Sequence, residues 1–133
     1  MSKIKEASGK DFKLSRILQV QEVIDFYVLA EIRGGVSYLL ELDERMVKDF
    51  DGVGVNLSYM SRRISFLRES GYVETYWDDP IKRNIHFVRI TEQGEQYFLR
   101  MLADLSHKIG IASKFYRDME KYVAKFGHLN LTK

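Results

Sequence analysis

The chain has 133 residues, a formal net charge of +2, 45% hydrophobic residues and no cysteine. That length suits a single core; the missing cysteines exclude disulfides, a thiolate nucleophile and any cysteine-containing zinc site. No apolar run approaches the roughly 18–20 residues of a membrane span, and the opening MSKIKEASGKDFK lacks the apolar centre of a signal peptide, so a cytoplasmic protein with no membrane contact is expected. Charge is segregated along the chain. Residues 1–16 carry five Lys/Arg against two acids, 17–55 three against eight, 56–91 six against four and 92–133 seven against five. An acidic stretch over the first two helices with basic segments on either side suits a protein that turns one side toward a polyanion.

Residues 1–15, with Lys3, Lys5, Lys10 and Lys13, read as a basic arm, solvated or reaching a phosphate. From Ile17 to Ile32 the apolar spacing predicts a helix, with Ile17, Val20, Ile24, Tyr27 and Val28 on one side and Gly34-Gly35 as its stop. Ser37 is placed to cap a second helix carrying Leu39, Leu42, Met46 and Phe50. Its acids Glu41, Asp43, Glu44 and Asp49 read as a solvated face and not as a metal cluster. The following loop, Asp51 to Val55, has two glycines but neither the preceding strand nor the Lys-Ser/Thr pair of a phosphate cradle.

Asn56 and Gly71 bracket a third helix. Asn56 can accept from an orphan first-turn N–H, and Gly71 tolerates the positive φ of a helix stop. Met60, Ile64 and Leu67 form its apolar stripe, whereas Ser58, Ser61, Arg62 and Ser65 fall opposite. Short hydroxyls allow close approach to a groove, and an arginine fork can pair with guanine or phosphate, so this outer face has the composition of a DNA-reading helix. Tyr72 to Trp77 and Ile85 to Ile90 then read as two strands. The link between them contains Pro80 and Asn84 as turn formers and Lys82 and Arg83 as cations. Helix, glycine and basic-tipped hairpin in succession build a winged helix-turn-helix. Trp77 reads as a packing residue at the base of the wing.

From Thr91 onward one long helical pattern runs to Gly127. Phe98, Met101, Leu105, Ile109, Ala112, Tyr116, Met119, Val123 and Phe126 recur at intervals of three and four, a longer stripe than a small three-helix core can bury. This is the expected homodimer surface. Gly110 leaves open whether the helix is continuous or divided, and an intramolecular return about Gly110 is the alternative. His128 to Lys133 are expected to fray.

The segment NLSYMSRRISFLRESGYVETYW resembles PadR-like transcriptional regulators, in which a recognition-helix Tyr precedes Arg-rich and Leu positions, a Gly, a short apolar pair and a wing Trp. Here these are Tyr59, Arg62, Arg63, Leu67, Gly71, Tyr72, Val73 and Trp77. RITEQGEQYF at 89–98 is similar to the family's Leu-Thr-Glu-x-Gly junction through Ile90, Thr91, Glu92 and Gly94, and GVSYLLEL at 35–42 is a looser match. MarR-like regulators share much of this pattern. The resemblance implies a mainly α winged helix-turn-helix with a small β-hairpin wing and a long C-terminal dimerisation helix. The division is then a basic arm at 1–15, a DNA-binding domain at 16–91 and a helical dimerisation region at 92–127. It further implies a homodimeric repressor that binds an inverted repeat in double-stranded DNA. Asn56, Ser58, Tyr59, Ser61, Arg62, Arg63, Ser65, Lys82 and Arg83 are the expected DNA contacts.

Two other readings share the fold: a structural DNA-binding dimer acting in replication termination or partition, and a protein-interaction module. Family members can bind aromatic or apolar effectors near the dimer interface, but no residue here matches a ligand motif. His86, His107 and His128 show no metal-ligand spacing, and no serine lies in a nucleophile elbow, so neither catalysis, metal nor cofactor is expected.

Overall fold

The structure, a computed structural model, describes residues 13–129. The expected basic arm with Lys3, Lys5 and Lys10, and the last four residues of the expected frayed end, lie outside that range. The described residues divide into two units, 20–103 and 13–19 with 104–129.

In the first unit, helix α1 spans Val20–Arg33, strand β1 Ser37–Tyr38, helix α2 Leu39–Asp49, helix α3 Leu57–Glu69, and strands β2 and β3 Val73–Trp77 and His86–Ile90. Helix α4, Glu92–Ala124, begins in this unit and continues into the second. This is the mainly α winged helix-turn-helix read from the sequence. Its core is Ile24, Val28 and Leu29 of α1, Leu42 of α2 and Met60 and Leu67 of α3, all essentially inaccessible, closed by Val73 and Val88 of the sheet. The apolar spacing marks the inward side of α3 and most of that of α1 and α2, but Val20, expected on the inward side of α1, is 56% exposed, and Phe50, expected on α2, is 47% exposed just past its end.

The hairpin is part of a three-stranded antiparallel sheet ordered β1-β3-β2. Two residues of β1, Ser37 and Tyr38, pair with Val88 and Phe87. Ser37 is therefore not the cap of α2. Tyr38 precedes the helix without a side-chain cap, and the buried Ser37 hydroxyl instead donates to Glu41 Oε1 at 2.7 Å. The β2–β3 register decides the ambiguous faces of the wing. Val73, Thr75 and Trp77 lie opposite Ile90, Val88 and His86 on the side that includes the buried valines. On the other side Phe87 contacts Tyr38 and Tyr76, and Glu74 pairs with Arg89 at 2.9 Å.

The Thr-Glu-x-Gly junction has a clear physical cause. Thr91 caps α4: its Oγ1 donates to the Gly71 carbonyl at 2.7 Å and accepts from the Gly94 N–H at 3.0 Å, while the Thr91 N–H donates to the Tyr72 carbonyl. A Cβ on Gly94 would lie 2.0 Å from that same Tyr72 oxygen, so only glycine lets α4 start this close to the end of α3. In the same first turns of α4 Arg33 forks onto Glu95 at 2.7–3.0 Å and lies over the Phe98 ring, which stacks on Phe26. The Arg33 hydrogen bonds hold the Glu95 carboxyl below its ordinary pKa.

Helix α4 runs unbroken through Gly110 for 33 residues, roughly 50 Å at 1.5 Å per residue. No return occurs at that glycine. In the second unit a helical turn at Leu14–Arg16 leads to Ile17 and Leu18, which with Leu14, Ala112, Phe115 and Tyr116 line a cavity of about 60 Å³. The expected first helix therefore starts three residues late, at Val20, because Ile17 belongs to this separate cluster.

Candidate nucleic-acid interface

Helix α3 is closed at both ends as its bracketing residues require. The Tyr59 N–H donates to Asn56 Oδ1 at 2.7 Å. At its end the Tyr72 N–H reaches the Leu67 carbonyl at 2.9 Å and the Gly71 N–H reaches Arg68 at 3.0 Å, with Gly71 at φ +86°, a Schellman closure. Asn56 is thus first a cap, whatever else its amide contacts. With Met60, Ile64 and Leu67 buried, Ser58, Ser61 and Arg62 are exposed and Ser65 is half-buried. The Arg62 guanidinium donates to Ser58 Oγ at 3.1 Å and lies over the Tyr59 ring at 5.4 Å. One turn of helix therefore presents a cation oriented by its neighbours, with its remaining donors directed to solvent.

Arg63 departs from the expected DNA-facing set. Its Nε and Nη2 donate to the two oxygens of Asp25 on α1 at 2.8 and 2.7 Å, with side-chain exposures of 16% for Arg63 and 4% for Asp25. Arg63 Cζ also lies 4.4 Å from the centre of the Phe66 ring. Hydrogen bonding to Asp25 raises the arginine pKa above its ordinary value. The reason for the departure is angular: Arg62 and Arg63 are adjacent, but 100° of rotation separates an outward residue from one facing α1. Asp25 was legible as the single acid in the apolar run VIDFYVL, a position that calls for a buried partner.

The wing tip is ordered by its own acids. Asp78 accepts from the Asp79 and Ile85 N–H groups at 2.8 and 3.0 Å, and Asp79 Oδ1 from Ile81 and Lys82 at 2.9 and 3.3 Å. These bonds, that from Ile85 first, lower the Asp78 pKa. The two acids next to Lys82 and Arg83 are thus occupied by backbone, and both cations are exposed. Arg83 adopts φ +55° and its Nε donates to the Pro80 carbonyl at 3.2 Å.

Between α3 and the wing lies a cleft of about 130 Å³, lined by Ser61, Ser65 and Arg68 on the helix and by Thr75 and His86 on the strands, with Ile64, Val88 and Leu39 at the start of α2 as its apolar lining. His86 stacks on Trp77 at 4.2 Å, and Trp77 is 37% exposed, so it is not sealed packing. Arg68 and Thr75 were not singled out from the sequence, and His86 was weighed only as a metal ligand or catalytic base, because only strand register brings the three together.

The stripe on α4 divides. Phe98, Met101, Leu105 and Ala112 are buried within the chain itself, whereas Ile109, Tyr116, Met119, Val123 and Phe126 are 40–64% exposed. The first group therefore completes this chain's own packing, a correction to its expected role in dimerisation. Among the described residues no helix is long and apolar enough to cross a membrane, and no cluster of three His, Asp or Glu could hold a metal ion.

No family model and no curated protein matches this sequence. Solved structures do resemble it. A transcriptional regulator from Clostridium thermocellum is 21% identical, with a TM-score of 0.65 over 72% of this chain and 95% of that one. The circadian clock associated protein Pex from Anabaena is 18% identical, at 0.57 over 71% and 84%. A PadR family transcriptional regulator from Eggerthella lenta is 16% identical, at 0.54 over 81% and 84%. At such identities the likeness is one of fold alone, and the chain shares the winged helix-turn-helix fold of these structures.

Proposed function

We propose that this protein is a sequence-specific, double-stranded DNA-binding regulator, a PadR-like repressor that acts as a homodimer on an inverted repeat. The observation that carries the reading is the outward turn of α3, where Ser58 and Tyr59 hold the exposed Arg62 beside a hairpin with Lys82 and Arg83 at its tip. Arg62 is the base or phosphate reader, Ser58, Tyr59, Ser61 and Ser65 shape its approach, and the wing cations contact the backbone. The exposed residues Ile109, Tyr116, Met119 and Val123 supply the two-fold contact, which gives each half of the dimer one half-site.

The test is selection of genomic duplex by the purified protein, followed by titration on the recovered site. Arg62→Ala should cost about 1–3 kcal/mol of specific binding without loss of folding. A wild-type protein that retains no duplex in a salt-dependent manner would instead favour a protein-interaction role. Recovered sites clustered away from promoters would favour a structural DNA-binding role.

A further inference from the structure

The cleft between α3 and the wing has a composition that neither a core nor a small-molecule pocket requires. Three hydroxyls, a guanidinium and an imidazole line it together with Leu39, Ile64 and Val88. Its volume, about 130 Å³, lies well below the roughly 300–1,000 Å³ of sites for drug-sized ligands. A group of a few atoms with several acceptor oxygens fits it. Arg68 supplies the charge: its nearest carboxylate, on Glu69, is 3.9 Å away and 74% exposed, too loose a pair to neutralise it. His86 stacks on its cross-strand neighbour Trp77 at 4.2 Å, which orients its ring on the wing.

Duplex geometry identifies the group. The major and minor grooves of B-DNA are separated by one sugar–phosphate strand, so a protein with a helix in one groove and a hairpin tip in the next must straddle that strand. On α3 the cleft residues Ser61, Ser65 and Arg68 occupy the flank between the buried stripe and the exposed turn with Ser58 and Arg62. On the wing, Thr75 and His86 lie at the base of the hairpin whose tip holds Lys82 and Arg83. We infer that this cleft seats a backbone phosphate of the straddled strand, with Arg68 as its charged donor and His86, Ser65 and Thr75 as further hydrogen-bond donors. Arg68 and His86 are therefore DNA contacts in addition to the outward face of α3.

The inference rests on the DNA-binding reading, and the experiment separates the two. Wild type, Arg68→Ala, Arg68→Lys and His86→Gln are titrated at several salt concentrations on the recovered site and on an unrelated duplex. Thermal unfolding of the same samples checks folding. Arg68→Ala should flatten the plot of log affinity against log salt by roughly 0.9, and weaken both duplexes alike, several-fold. Arg68→Lys should keep the wild-type slope. His86→Gln should weaken both duplexes with the ratio between them unchanged. Ethylation interference should lose in Arg68→Ala one phosphate position present with wild type. A wild-type slope in Arg68→Ala, or an unaltered interference pattern, overturns the phosphate seat while leaving the DNA reading in place. A wild type with no salt-dependent binding overturns both.

Discussion

Removing either partner of the Asp25–Arg63 pair should expose how much this fold depends on a single buried charge pair. Replacing Arg63 by Met keeps the aliphatic bulk over Phe66 but strands a carboxylate that is 4% exposed. Loss of one member of a buried pair typically costs about 3–5 kcal/mol. Asp25 loses both of its strong donors at once, so we expect about 4 kcal/mol. Asp25→Leu should cost less, about 2 kcal/mol, because Arg63 is 16% exposed and can turn its guanidinium to water. The double variant Asp25→Leu/Arg63→Met removes both charges and should return to within about 1 kcal/mol of wild type. An unfolding entropy of roughly 2.1 cal/mol/K per residue over 133 residues gives about 3.6 °C per kcal/mol. Arg63→Met should therefore lower the Tm by about 14 °C and Asp25→Leu by about 7 °C. Circular dichroism with heat and with urea is the assay, read as a double-mutant cycle. Additive single effects, or a shift under about 3 °C in Arg63→Met, would show that the pair is not what fixes α3 against α1.

Two glycines of α4 should respond in opposite directions. Gly94→Ala forces a Cβ onto the Tyr72 carbonyl and should cost about 3 kcal/mol or more, whereas Gly110→Ala meets nothing within 4 Å and should stabilise by about 0.5–1 kcal/mol; urea midpoints decide both. Val123→Asp and Met119→Glu alter exposed positions and should convert the proposed dimer to monomer in light scattering without lowering the stability of the winged-helix unit. A dimer indifferent to both substitutions would move the two-fold contact elsewhere. The Asp78 carboxyl has a lowered folded pKa, so its hold on the wing turn is complete above about pH 4 and is lost as pH falls through the lowered value. Amide NMR shifts of Asp79 and Ile85 should follow that transition in wild type and lose it in Asp78→Asn.

Much of the fold was legible because it rests on local rules. Helical spacing marked the inward residues of α3 and all but Val20 and Phe50 of those assigned to α1 and α2, Asn56 and Gly71 bounded the third helix, and Pro80 with two β-rich runs marked the hairpin. Thr91 and Gly94 were legible as a motif, although only the approach of Tyr72 shows why a glycine stands there. Residues brought together across the sequence were decided by tertiary structure. Strand β1 is two residues long, too short for any period, and exists because Ser37 and Tyr38 meet Val88 and Phe87. Arg63 and Asp25 are 38 positions apart; helical spacing puts Arg62 and not Arg63 opposite the apolar stripe, but only the packing of α1 against α3 shows that Asp25 is the carboxylate Arg63 meets. The α4 stripe has one period throughout, so periodicity could not separate Phe98 and Leu105, buried within the chain, from Tyr116 and Val123, which remain exposed. Period reports which residues share a side; what covers that side depends on where the other elements lie.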